Sequence, residues 1–373
     1  MKAITEFRWF GWLTLAIVAG YFVVGLWPFD FRPPNHVRWL ANRAGLQFEP
    51  GGVAYDPDVL PAQNSSNAAG QSANFTVELW VEAGGAPATD VFHLLTIHNR
   101  SLPSDFILCQ WQNEILLRAA IQNPRPHKIN EVGVDNALPP GQAHFIAVRG
   151  NENGTDFFLD GQPAGHFPQF VLTTNALAGQ LILGNGSSGK NPWTGKWLGL
   201  AIFNRALATA EIASHQARWT QGRALQLTND SSVAALYLFD EGGGQHAKDS
   251  SAHHHALAIP DYFHPVHKEF LIPPWKDLSY DHPDYQDIAV NISGFLPFGF
   301  CFFLHLNFRK KNQPAANILR AVFAGAAISL AIEITQAWLP GRDSSATDVL
   351  ANVLGAWLGA VLARAMCRKI AAG

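Results

Sequence analysis

The sequence predicts a mixed protein: a polytopic α-helical membrane domain of four helices, joined to an all-β sandwich displayed outside the membrane. Three observations predict it. Four long stretches are apolar and nearly free of charge, one close to the start and three after residue 287. Between the first and the second, residues 30–287 form a polar block in which apolar residues alternate at period two between turn residues. Only 15% of all residues are charged, against about 25% in an average soluble domain. A net charge of −3 gives no global reason for a nucleic-acid partner, and three cysteines in 373 residues exclude a disulfide-built scaffold.

The first apolar run, Trp9 to Phe29, contains no charged residue and is long enough for a bilayer core of ~30 Å at 1.5 Å per residue. Trp9, Trp12 and Trp27 lie near its ends, where amphipathic rings favour the membrane interface. It runs into Trp27-Pro28-Phe29-Asp30 without a small-residue cleavage site, so an uncleaved anchor is expected over residues 1–29. The other spans are expected at about 288–308, 315–339 and 346–367, within a domain covering 287–368. In the last of them Gly355 and Gly359 have the spacing that lets helix backbones approach closely.

Basic residues fix an expected orientation. Lys2 and Arg8 precede the first span, Arg309-Lys310-Lys311 follow the second, and Arg364, Arg368 and Lys369 end the fourth. Four alternating crossings then put both termini in the cytoplasm and residues 30–287 outside it.

In the outer block, Phe75–Glu82, Val91–Ile97, Phe106–Trp111, Ile115–Ile121, His144–Arg149, Asp156–Leu159, Leu181–Leu183 and Trp197–Phe203 read as strands. Asp160-Gly161 is a tight-turn dipeptide. One helix is expected at Thr209–Trp219, with Thr209 as its cap and Glu211 in its first turn. Many short strands with Gly, Pro and Asn turns indicate a sandwich or jelly roll. Its span is 45–265, with a C-terminal extension over 221–265 that is expected to add an edge strand.

The stretches FTVELWVEA, LILGN and GKWLGLAIFNRALATAEIASH resemble the concanavalin A-like, laminin-G-type jelly rolls, most specifically at Gly195–Ile212. Leu236 to Ser251, with its FDEGGG and DSS elements, resembles the opening segment of such domains, yet it follows their closing stretch. The resemblance admits glycoside hydrolysis, which needs two suitably spaced carboxyl groups. Glu78 and Glu82 share a strand face, but the glucanase pattern E-x-D-x-x-E is absent. Solvent-facing acids and a non-catalytic binding module are expected instead.

Trp80, Trp111, Trp193, Trp197 and Trp219 could stack on sugar rings, and Trp193, in the turn-rich 184–195 stretch, is the expected exposed platform. Asp240, Glu241, Asp249 and Ser250 could supply oxygen ligands for Ca²⁺, although Asp249-Ser250-Ser251 could equally form a capped turn. His253-His254-His255 lack the spacing of a tetrahedral metal site and read as a solvated loop. Cys109 reads as a buried strand thiol.

The sharper motifs lie in the membrane half, where ionisable residues start as functional candidates. Glu333 and Gln336 share one helix face, and Asp348 and Asn352 share another. The short outer loop carrying Arg342 is expected to gather Glu333, Gln336, Arg342, Asp348 and Asn352 into one polar cluster, with Asn291 facing the same interior. These residues stand in stretches that resemble the VanZ-like family: Asp287 to Phe300, Ser329 to Arg342, and Ser345 to Gly359, with Trp27–Asp30 like the end of its first helix. The resemblance implies a multi-pass protein of the bacterial cytoplasmic membrane, related to one associated with low-level teicoplanin resistance, and it implies no known reaction. The expected role is recognition of an envelope glycan or protein, with membrane lipids as surroundings. The alternative is a membrane enzyme or transporter acting on an envelope lipid or glycan through Glu333, Arg342 and Asp348. Glu333, Arg342 and Asp348 could also serve only to satisfy one another and lock helices together.

Overall fold

The computed structural model describes residues 2–58, 60, 72–84, 90–102, 104–124, 129–277, 285–309 and 313–372. Lys310 and Lys311, on which part of the topology rests, lie outside the described residues. The chain divides into two compact units, residues 32–267 and residues 1–31 with 268–373.

The first unit is a sandwich of two antiparallel sheets, as its alternating sequence predicts. One sheet runs in the order β1 (Val37–Trp39), β2 (Leu46–Phe48), β13 (Gly195–Phe203), β4 (Phe75–Ala83), β9 (Ala143–Asn151), β10 (Gly154–Leu159), β11 (Gln162–Phe167). The nine-residue β13 pairs β4 along one side; on the other it pairs β2 first and then β14 (Val233–Tyr237). The second sheet runs β15 (His246–Ala247), β16 (Leu257–Ala258), β3 (Ala54–Tyr55), β12 (Gln180–Leu183), β5 (Phe92–His98), β6 (Phe106–Trp111), β7 (Glu114–Arg118), β8 (Glu131–Val134). Residues beyond 221 therefore contribute one strand to the first sheet and two to the second.

The short strands β1–β3, β8 and β11 escape the alternation test because two to six residues carry too few periods to register. The Asp160-Gly161 turn closes the β10–β11 hairpin with both residues at positive φ, 48° and 79°, which suits the twist of paired strands. Between the sheets lies one continuous apolar core, including Phe48, Phe75, Leu79, Leu95, Leu108, Leu117, Leu200 and Tyr237, all without exposed surface.

The outer face of the first sheet is covered by α2 (Thr209–Thr220). Phe145, Ala147, Phe158, Ala201 and Phe203 of the sheet pack with Ile212 and Trp219 in a second apolar cluster. The expected cap shifts by one residue. Thr209 is already helical; Ala208 holds the cap position, and its N–H donates to Glu211 Oε2 at 2.7 Å.

Among the described residues, the second unit contains four helices long and apolar enough to cross a membrane. They are α1 (Lys2–Leu26), α4 (Tyr285–Arg309), α5 (Pro314–Gln336) and α6 (Ala346–Ala372); a single turn, α3 (Pro274–Asp277), precedes α4. Glycines govern the packing of α4 on α6. A Cβ at Gly355 would lie 2.2 Å from the Ile292 carbonyl, at Gly359 2.1 Å from that of Leu296, and at Gly299 2.0 Å from that of Ala356. The small-residue seam is thus consumed within the chain.

Candidate functional site

In the membrane unit, five of the predicted polar residues gather around the α5–α6 connection and the end of α1. Glu333 is 3% exposed, and its Oε2 accepts the Ser345 N–H at 2.8 Å. The Ser345 hydroxyl in turn accepts the N–H groups of Thr347 (3.0 Å) and Asp348 (3.3 Å), which caps α6 and leaves Asp348 in its first turn, where a negative charge suits the helix dipole. Ile272 donates to the Ser344 carbonyl and accepts from Ala346, so the same connection is also stitched to the segment before α3.

Gln336 reaches the end of α1, donating from Nε2 to the Gly25 carbonyl at 2.8 Å. Arg342 is exposed and donates to the Trp27 carbonyl at 3.2 Å, so it does not close an ion network with the buried Glu333. The Glu333 carboxylate serves a main-chain donor and the Arg342 guanidinium a main-chain acceptor. Lys268, missed in the sequence reading, donates from Nζ to the carbonyls of Gln336 and Leu339 at the end of α5, a favourable place for a cation. Asn352 donates to Ser329 Oγ at 2.9 Å, while its buried Oδ1 has no hydrogen-bond partner. Asn291 is half-buried on α4.

In the sandwich, the predicted sites change. Trp193 is not an exposed platform: it is 1% exposed, stacks edge-on against Trp197 and donates from Nε1 to Gln110 Oε1 at 2.6 Å. The turn-rich sequence around it folds back over the sheet and turns the indole into the core. Trp197 and Trp219 are buried as well. Glu78 is not solvent-facing: it has no exposed surface, and its carboxylate accepts from His215 Nδ1 (2.7 Å) and Trp219 Nε1 (3.0 Å) beneath α2. Glu82 is largely buried between Arg43 and Lys196. Neither acid is placed for hydrolysis.

Asp240, Glu241 and Asp249, the candidate Ca²⁺ ligands, are not presented as one open set of oxygen donors. Asp249 is buried and fully engaged: Oδ1 accepts from the N–H of Leu236 and Ser251, Oδ2 from the Ser251 hydroxyl and the His255 N–H. Glu241 accepts the Lys248 N–H, and Asp240 is exposed. The DSS element is a side-chain-capped turn. Cys109 is the buried thiol expected, and burial pushes its pKa up to about 12.

On the outer face of the second sheet Trp111 and Glu131 are exposed, while His93, Cys109 and Leu116 are buried. Register places His93 beside Cys109, Cys109 beside Leu116, Trp111 beside Glu114, and Ile107 beside Arg118, which pairs with Glu131 of β8 at 2.5 Å. Since Phe106, Leu108 and Gln110 point to the core side, Ile107, Cys109 and Trp111 share the outward face. Trp111 is 39% exposed at the β6–β7 hairpin. His93 is buried there, and burial, reinforced by the Arg118 charge, pulls its pKa down to about 4. A histidine held neutral in the fold binds its proton more readily once unfolded, so acid favours the unfolded chain. Stability is expected to fall as pH drops from about 6.5 towards 4, and His93→Gln should flatten that segment of a melting-temperature profile.

A family model described as VanZ/LLP1 matches residues 232–368, and one for the concanavalin A-like lectin/glucanases superfamily matches residues 60–213. The chain carries a VanZ/LLP1 domain and a concanavalin A-like domain. The four helices long and apolar enough to cross a membrane, together with the VanZ/LLP1 domain, fit a membrane protein. The VanZ/LLP1 match contains every residue of the membrane polar cluster and begins upstream of α3, at the residue before β14.

Among solved structures, the chain is similar to the Ruminococcus gnavus IT-sialidase CBM40 bound to α2,3-sialyllactose, at 14% identity and TM-score 0.36, over 47% of this chain and 97% of that one. It is similar to a putative carbohydrate-binding protein from Bacteroides ovatus at 14% identity and TM-score 0.38, over 60% and 61%. A SAP-like pentraxin from Limulus polyphemus follows at 11% identity and TM-score 0.33, over 50% and 83%. No curated protein matches the chain.

Proposed function

We propose that the protein is a bacterial cytoplasmic-membrane receptor whose sandwich, held outside the cytoplasm, binds an envelope glycan on the outer face of its second sheet. One observation carries the reading: α2 packs over the centre of the first sheet's outer face, whereas the second presents the exposed indole of Trp111 beside a row of polar side chains. An indole at a strand end offers a rigid apolar plane for a pyranose ring, and Glu114, Arg118 and Glu131 on the same face offer hydroxyl and amide partners. The superfamily to which the sandwich matches includes lectins, which supports this use.

Both termini lie in the cytoplasm in this arrangement, supported by the basic residues that flank the spans. Cysteine labelling of intact cells tests it: a cysteine introduced at exposed Leu225 should react with an impermeant reagent, and one at Ile370 should not.

Glycan binding is tested with the full chain in detergent, titrated with cell-wall glycan fragments. Trp111→Ala should weaken binding at least ~10-fold, as expected for loss of a central aromatic contact, and leave the melting temperature unchanged because the side chain is exposed. Equal binding by the variant and the wild type would remove Trp111 from the site and sink the reading of this face.

A further inference from the structure

We propose that the sandwich holds a divalent transition-metal ion of the Zn²⁺ class through Asp56, Asp58 and His255. One ligand atom from each of the three lies within 4.8 Å of the others. The site joins sequence segments some 200 residues apart, which is why spacing could not reveal it.

The Asp56 carboxylate carries the argument. Its side chain has no exposed surface, and its Oδ1 accepts the Asp58 N–H at 2.9 Å. Oδ2 has no hydrogen-bond partner and faces His255 Nδ1 at 3.2 Å. A buried carboxylate oxygen that accepts no hydrogen bond is costly, and the imidazole 3.2 Å away compensates it only when protonated. The separation matches the edge of a coordination tetrahedron, ~3.3 Å for ligands 2.0–2.1 Å from the metal.

The surroundings fix the donors in place. Asp249 accepts the His255 N–H at 3.0 Å and Tyr237 donates its hydroxyl to the His255 carbonyl at 2.6 Å, so the histidine is held on both sides of its α-carbon. The main chain of Asp56 is tied to β12, its N–H to the Leu181 carbonyl and its carbonyl to Gln180 Nε2. The turn carrying Asp249, one of the candidate Ca²⁺ ligands, here positions a ligand of a different site. Two carboxylates and one imidazole suit a borderline ion with three protein ligands; Ca²⁺ takes six to eight oxygens. Asp58 is exposed, which leaves the ion an open side for water or an anionic group.

The test uses the tag-free full chain in detergent, stripped with chelator and titrated with ZnCl₂ alone. One Zn²⁺ per chain is expected, and Asp58→Asn and His255→Gln should each raise the dissociation constant at least ~10-fold, with unchanged tryptophan emission reporting intact folding. His254→Ala, in the exposed neighbour, should bind as the wild type does. Absence of stoichiometric binding, preference for CaCl₂ over ZnCl₂, or loss of binding in His254→Ala with Asp58→Asn unaffected would overturn the proposal. Because Trp111 plays no part in it, glycan titration and zinc titration fail or succeed separately.

Discussion

Gly359→Ala should leave no folded membrane unit to purify. The added methyl would stand 2.1 Å from the Leu296 carbonyl oxygen and 2.8 Å from the Phe300 nitrogen, both main-chain atoms of α4 that cannot swing aside. The neighbours along the seam are as tight: Gly355 against the Ile292 carbonyl, and Gly299 of α4 against that of Ala356. Relief at one point requires the two helices to separate along their shared length, which forfeits the dispersion contacts of a seam that closes only on hydrogen side chains. Overpacking typically costs about 1–3 kcal/mol and occasionally more, and a clash with main-chain atoms that no rotamer change relieves belongs at the upper end. Size-exclusion and thermal-melt profiles in detergent check it. Gly294→Ala, on α4, is the internal control, since a Cβ there meets nothing within 4 Å; its profile should match the wild type. A sharp, unshifted melt for Gly359→Ala would refute the close backbone packing.

That seam shows what could be read in advance and what could not. The spacing of Gly355 and Gly359 was visible, but a sequence has no means of telling a helix of its own chain from a helix of another copy. Strand alternation gave the sandwich because its faces differ strongly in polarity over five or more residues; β15 and β16, two residues each, have no period to display. The tryptophans mislead for a related reason. Trp193 and Trp111 both stand beside turn residues, and only the path of the chain decides which indole is buried with a hydrogen-bond partner and which reaches solvent. Glu78 looked exposed because alternation assumes a solvated outer face, and α2 covers that face from more than a hundred residues away. The membrane cluster was legible because charge is scarce in apolar spans and each retained polar group stands out. Its wiring was not, since side chain to main-chain bonds leave no pairing pattern in sequence.

Glu333→Ala should destabilise the membrane unit by about 3 kcal/mol, the cost of leaving a buried donor without its charged acceptor. The loss begins at the Ser345 N–H, which has its 2.8 Å partner in Glu333 Oε2, and spreads because Ser345 also caps α6. The connection carrying Ser344 and Ala346 would loosen from Ile272 in the same event. Glu333→Gln keeps a carbonyl oxygen for the Ser345 N–H and should recover most of the melting temperature. The pair of variants separates anchoring from function. If Glu333 only holds the α5–α6 connection, Gln restores protein abundance and envelope-drug sensitivity together. If abundance returns with Gln while sensitivity stays altered, the negative charge itself acts on a ligand. Wild-type abundance and melting in Glu333→Ala would contradict the anchoring geometry, because no other acceptor could then be allowed to take over the Ser345 N–H without moving the start of α6.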